Sequence, residues 1–205
     1  MAIAKKKKKF HDVEIPILNK KTQLYSFTPE ELEGRRIVYD LTRMLRGKNA
    51  LLDLNVKIEN EIPTSYPVEF RILPTFIRRV IRKRTDYVED SFKTKCKDAE
   101  IIIKPLLVTR RRVSRRVRKA LREKAREEII NYVKDKNSEK IFEDILKNQL
   151  QKPLSLTLKK IYPLSLCEIR IIKVLKKIEE EQEKDSNKTE KKSSKKPLEE
   201  KNSSE

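Results

Sequence analysis

The sequence predicts an α+β domain, on two observations. Stretches in which every second residue is apolar alternate with stretches in which apolar residues recur every three or four. Their order is strands, one helix, strands, two helices and a final strand, with no internal repeat.

A short apolar alternation around Val13, Ile15 and Ile17 comes first, behind the run Lys5, Lys6, Lys7, Lys8 and Lys9. Residues 35–41 and 51–58 are extended in character. In the second of these, Leu52, Leu54, Val56 and Ile58 fall on one face, opposite Asp53, Asn55 and Lys57. Tyr66, Val68, Phe70 and Ile72 continue the pattern in a third strand. Pro74 suits a first helical turn. Phe76, Ile77, Val80 and Ile81 then form an apolar stripe, with Arg78, Arg79, Arg82 and Lys83 opposite. Residues 86–95 and 100–109 read as a hairpin turning near Cys96, Lys97 and Asp98. Ser114 can cap a long helix reaching about Lys134, striped by Val117, Leu121, Ala125, Ile129 and Val133. A further helix over 138–150 buries Ile141, Phe142, Ile145 and Leu146. Residues 166–174, rich in branched side chains, are the last strand.

Three regions follow. Residues 1–20 form a basic N-terminal extension, 21–178 a single α+β domain, and 179–205 a charged tail. In the tail the only large aliphatic or aromatic side chain is Leu198. Such a segment buries too little apolar surface to offset its ordering entropy, so both ends are expected to be disordered. The tail holds nine acids against seven lysines, so the excess positive charge belongs to the body.

Composition excludes several classes. The chain has 205 residues, 51 Lys plus Arg against 32 Asp plus Glu, and a net charge of +19. A membrane span needs about 20 consecutive apolar residues, whereas the densest apolar stretch, 101–108, is broken by Lys104 and Pro105. No apolar segment of signal-peptide length follows the N-terminal lysines, so the chain is expected to be soluble and unexported, with no membrane partner. Gly34 and Gly47 are the only glycines, too few and too far apart for a glycine-rich phosphate loop. One histidine and two distant cysteines cannot make a Cys- or His-rich zinc site. No cofactor and no metal are expected, and Cys96 and Cys167 are expected as buried thiols.

The chemistry lies in charge. Residues 110–126 hold ten bases and one acid, Glu123. On a helix, Arg111, Arg115, Arg118, Arg122 and Arg126 recur at steps of three and four and so share a surface. Five like charges on one face become favourable when that face meets a polyanion and displaces its counterions. The alternative is a solvated face balanced by Glu123, Glu127 and Glu128, but three acids do not balance ten bases. The segment with Arg78, Arg79, Arg82, Lys83 and Arg84 contains no acid at all. Nothing resembles an RNP aromatic motif, a zinc knuckle or a KH loop, so phosphate contact rather than base stacking is expected as the main mode. Charge alone does not separate RNA from DNA, and a free-standing DNA-binding protein stays an alternative.

A metal-dependent nuclease is the enzymatic alternative, with Asp86, Asp90, Glu100 and Lys104 as its acids and lysine. In a strand, Glu100 and Lys104 stand about 13 Å apart, too far to share a metal readily. No enzyme is expected.

Four segments resemble a family: FTPEELEGRRIVYDL (27–41), FIRRVIRKRTDYVED (76–90), LLVTRRRVSRRVRKALREKAREEI (106–129) and KKIYPLSLCEIRIIKVL (159–175). Together they are similar, in order and spacing over roughly 10–178, to the archaeal and eukaryotic small-subunit ribosomal protein S-one-e, also written S-three-a-e. The short chain suggests an archaeal member. The resemblance implies a curled, barrel-like, mostly antiparallel β-sheet with basic helices packed on it. It also implies a structural constituent of the cytoplasmic small ribosomal subunit, on the platform near the rRNA 3′ end and the mRNA exit. Its implied partners are small-subunit rRNA, neighbouring platform proteins and mRNA at the exit channel. The RNA-binding candidates are then Lys5 to Lys9, the five bases from Arg78 to Arg84, Arg110, Arg111, Arg112, Arg115, Arg116, Arg118, Lys119 and Arg122. Within the resembling segments, Arg35, Arg36, Lys159, Lys160 and Arg170 join them.

Overall fold

β1 (Lys9–Ile15) and β2 (Lys20–Ser26) pair antiparallel and open the chain. The computed structural model of the protein describes residues 7–45, 47–59 and 62–177. Lys5, Lys6 and the expected tail lie outside the described residues. β1 takes in residues that the sequence assigns to the N-terminal extension, and its Val13 and Ile15 are fully buried. The remaining strands are β3 (Arg36–Asp40), β4 (Ala50–Glu59), β5 (Ile62–Ile72), β6 (Tyr87–Glu89), β7 (Phe92–Lys95), β8 (Ala99–Thr109) and β9 (Leu164–Lys177). The helices are α1 (Pro74–Val80), α2 (Arg115–Lys134), α3 (Ser138–Leu146) and α4 (Gln151–Lys159).

The fold is α+β and its sheet is antiparallel except where β1 meets β5. β4 pairs along one whole edge of β5, and β3 adds to β4. The opposite edge of β5 is shared, by β1 at Thr64 and by β9 at Glu69, Phe70 and Arg71. The sheet forks there. One arm ends in β2, the other runs β9, β8 and then β6 and β7, which share the far edge of β8. The arms do not close into a barrel among the described residues.

Bulges bend both arms. The register slips at Asp53/Leu54 in the β4–β5 ladder and at Glu100/Ile101, Lys104/Pro105 and Val108/Thr109 in the β8–β9 ladder. Each slip adds a residue to one strand, increases its twist and reverses which face later residues take. On β5, Pro63, Ser65 and Pro67 are buried before the slip, and Phe70 and Ile72 after it. The expected uniform face of Tyr66, Val68, Phe70 and Ile72 therefore breaks at Val68, the extra residue.

α2 and α4 cover the β6–β9 arm, and α3 packs against β5 and β9. Ser114 caps α2 by accepting from Val117 N–H at 3.4 Å. The α2 stripe is buried from Leu121 to Val133, with Val117 partly so, and packs against β6, β7 and α4. The expected helix over 138–150 stops at Leu146. Asn148 turns left-handed at φ 58°, and a separate helix, α4, follows with Leu150, Leu154 and Leu158 buried. Pro153 sits in the first turn of α4, where its missing N–H costs nothing. Asp98 joins this layer to the β7–β8 turn, accepting from Ser138 N–H at 2.8 Å and Ser138 Oγ at 2.6 Å. Cys96 and Cys167 are free, buried thiols, and burial pushes Cys167 up to about 12.

Candidate nucleic-acid interface

The β6–β8 ladder pairs Tyr87 with Val108, Val88 with Leu107 and Glu89 with Leu106. One step further Thr109 N–H reaches Asp86 O, so the segments that carry Arg82, Lys83 and Arg84 and Arg110, Arg111 and Arg112 leave the ladder at the same end. Two basic segments separated by some 25 residues of sequence thus meet at one end of the sheet. The β8–β9 ladder ends there as well, pairing Thr109 with Leu164. Lys159 and Lys160, at the end of α4, stand just before Leu164. Residues 82–84, 110–112 and 159–160 thus all lead into or out of this end of the sheet, a basic corner from which α2 departs carrying Arg115 and Arg116.

Asp86 and Thr109 hold the corner. Thr109, fully buried, donates its N–H to Asp86 O at 2.9 Å, and its hydroxyl accepts from Asp86 N–H at 3.1 Å. That hydroxyl also lies 2.8 Å from Asp86 O and 2.7 Å from Arg111 O, so its proton serves one carbonyl at a time. The Asp86 carboxylate accepts from Val113 N–H at 2.9 Å. Backbone is therefore fixed on both sides of Arg110, Arg111 and Arg112. On the facing segment Thr85 closes a turn on Arg82 O, and Arg84 sits at φ 68°. No periodicity in the sequence marks Asp86 or Thr109 for this work.

The guanidinium groups of the corner face solvent. Arg78, Arg79, Arg82, Lys83, Arg84, Arg110, Arg111, Arg112, Arg115, Arg116, Lys119, Arg122, Lys159 and Lys160 are all exposed. Arg118 is half-buried, and its Nε is enclosed without a partner. The three acids that could have neutralised α2 go to its lysines. Glu123 pairs with Lys119 at 3.7 Å, and Glu127 and Glu128 pair with Lys124 at 2.9 and 3.3 Å. Among the described residues no carboxylate lies within ion-pair distance of Arg82, Lys83, Arg84, Arg110, Arg111, Arg112, Arg115 or Arg116. Arginine presents a planar fork of donors that matches a phosphate, and here that fork is unspent.

Other candidates have partners in the fold. Arg36 bonds the carboxylate of Asp53, which is fully buried, and lies 3.7 Å from Glu69. Arg170 pairs with Glu89 at 2.9 Å. Arg79 donates to Gly47 O at 2.6 Å and Arg35 to Tyr25 O at 3.0 Å. Lys7, Lys8 and Lys9 are exposed at the start of β1, on the other arm of the sheet.

The acids of the nuclease alternative are scattered. Asp86 and Asp90 flank β6 at opposite ends, and Glu100 faces Lys95 across β7–β8. Thr109, beside Asp86, is nine residues from Glu100, which is about 30 Å along a strand. Among the described residues no three metal-ligating side chains gather. No described helix is long and apolar enough to cross a membrane.

A model of the Ribosomal S3Ae family matches residues 4–178. The chain is also similar to the small ribosomal subunit protein eS1 of Nanoarchaeum equitans (strain Kin4-M). The two are 24% identical over 144 residues, covering 67% of this chain and 72% of that protein.

Proposed function

The chain belongs to the ribosomal S3Ae family, and from that membership we propose that its basic corner grips the phosphate backbone of small-subunit rRNA. It is a structural protein of the small ribosomal subunit and not an enzyme. The corner neutralises phosphates where RNA strands approach the end of the β6–β8–β9 ladder, in the cytoplasmic ribosome. Its place is the platform, near the rRNA 3′ end and the mRNA exit, among neighbouring platform proteins. The observation that supports this reading most is the convergence of residues 82–84, 110–112 and 159–160, with arginines that have no carboxylate partner. Phosphate contacts fix position and orientation without reading sequence, which is what a scaffold requires.

Sedimentation of a lysate tests the reading. The full chain should co-migrate with small subunits at low salt and leave them as salt rises, because counterions compete for the phosphates. A chain that stays at the top of the gradient at low salt would contradict it.

A further inference from the structure

The solvent face of β1–β2 carries three exposed aromatic rings. Phe10 is 69%, Tyr25 50% and Phe27 41% exposed. Phe10 and Tyr25 are direct cross-strand partners, their ring centroids 5.0 Å apart and their planes tilted by 44°. Phe27 follows the last residue of β2, and its ring shares the Lys8 ammonium with that of Tyr25. The opposite face of this pair already supplies the core, through Val13, Ile15 and Ser26. Packing therefore does not account for the three rings, and a half-buried antiparallel pair ordinarily shows polar side chains there.

Cations surround the rings. Lys8 Nζ stands 5.1 Å from the Phe27 centroid and 5.7 Å from that of Tyr25. The Arg35 guanidinium is anchored on Tyr25 O, and Lys7 and Lys9 are exposed on either side of Lys8 in the chain, Lys9 on the opposite face of β1. Of the nearby acids, Glu31 accepts from Phe27 N–H at 3.0 Å and Glu14 pairs with Lys21 at 2.7 Å, while Asp12 is exposed on the same face of β1 as Phe10. Exposed π-faces set among cations match one ligand chemistry. An unpaired nucleotide offers a flat base to stack and a phosphate to neutralise, whereas a duplex hides its base faces. The tilt means that one base lies flush on one ring and not on both.

We propose that Phe10, Tyr25 and Phe27 form a stacking platform for unpaired nucleotides of RNA, separate from the phosphate-gripping corner. It rests on the reading that the chain binds RNA. It adds a second mode of contact to it, on the other arm of the sheet.

The test uses the full chain, a fluorescein-labelled single-stranded oligouridine and a labelled blunt-ended RNA duplex, followed by anisotropy. Phe10→Ala and Tyr25→Ala should each weaken single-strand binding about 5–150-fold. Duplex affinity and the salt slope should stay unchanged, since no charge is removed. Phe10→Trp should keep the affinity. Its indole would be the only one in the chain, and its fluorescence should be quenched by the oligouridine. An unquenched indole, or alanine variants that bind single strands like the parent, would overturn the proposal. Alanine variants that keep single-strand affinity yet drop out of small subunits would also overturn it, because a protein then covers the rings. The corner is scored independently. Neutralising it lowers the salt slope and leaves the quenching in place, so failure of one reading does not pass for failure of the other.

Discussion

Replacing Arg82, Lys83, Arg84, Arg110, Arg111 and Arg112 together by Gln is expected to lower affinity for small-subunit rRNA about 10³-fold or more at 50 mM salt. Six phosphate contacts make binding sensitive to about that extent between 50 and 200 mM salt, and their removal forfeits the same counterion release. The fold should survive. All six side chains are exposed, none has a carboxylate partner among the described residues, and all lie in the turns between helices and strands. Removing their mutual repulsion costs the body nothing, so the melting temperature should move by no more than about 2 °C. A filter-binding titration and a thermal melt on the same preparation check both halves. A large loss of melting temperature would mean that the corner holds the fold rather than RNA.

Leu121→Ala should do the opposite. Leu121 is fully buried in the α2 stripe, between Val117 and Ala125, where α2 lies on β6 and β7. Truncation leaves a cavity in a close-packed layer, at a cost of about 2.7–5 kcal/mol. For a body of this size that corresponds to a melting temperature lower by roughly 5–20 °C. RNA binding measured well below the midpoint should keep its salt dependence, because α2 still presents Arg115 and Arg116. A loss of stability under about 1 kcal/mol would show that α2 does not seal the core.

Local patterns carried much of the fold into view. The α2 stripe repeats over 20 residues and begins at a capping serine, so periodicity and cap agree. β4 shows clean alternation because both its neighbours, β3 and β5, pair with it over several residues. What stayed hidden depends on long-range pairing. β5 changes face at a bulge that only its register with β4 reveals. The break between α3 and α4 lies at Asn148, a residue that tolerates a left-handed turn but does not announce one. Leu150, Leu154 and Leu158 recur at steps of four, which is the trace that α4 leaves in the sequence.

The interface was legible as charge and not as geometry. The sequence shows which residues are basic, yet not which of them meet acids inside the fold. Asp53 reads as part of a polar strand face, and in the structure it is fully enclosed, bonded by Arg36 and 3.7 Å from Arg71. Arginines can cover such an acid with their stems and keep their heads near water. Arg170 and Glu89 are 81 residues apart, beyond any local pattern. The corner itself exists only because β6 and β8 pair in one register, which brings the two basic segments to the same end of the ladder.

The slope of log affinity against log salt concentration, for the full chain on small-subunit rRNA, tests the shared phosphate grip most directly. Four proteins suffice: the parent, Arg82/Lys83/Arg84→Gln, Arg110/Arg111/Arg112→Gln, and Arg36/Arg170→Gln as the internally paired control. Each lost phosphate contact should reduce the slope by about 0.7–0.9, so each triple variant should lose roughly 2–3 units. The control should keep the parent slope while melting at a lower temperature, because Glu89 loses its cation and the buried Asp53 keeps only Arg71, 3.7 Å away. Equal slopes in all four proteins, or a control that falls as far as the triple variants, would contradict the corner as the site where this protein holds RNA.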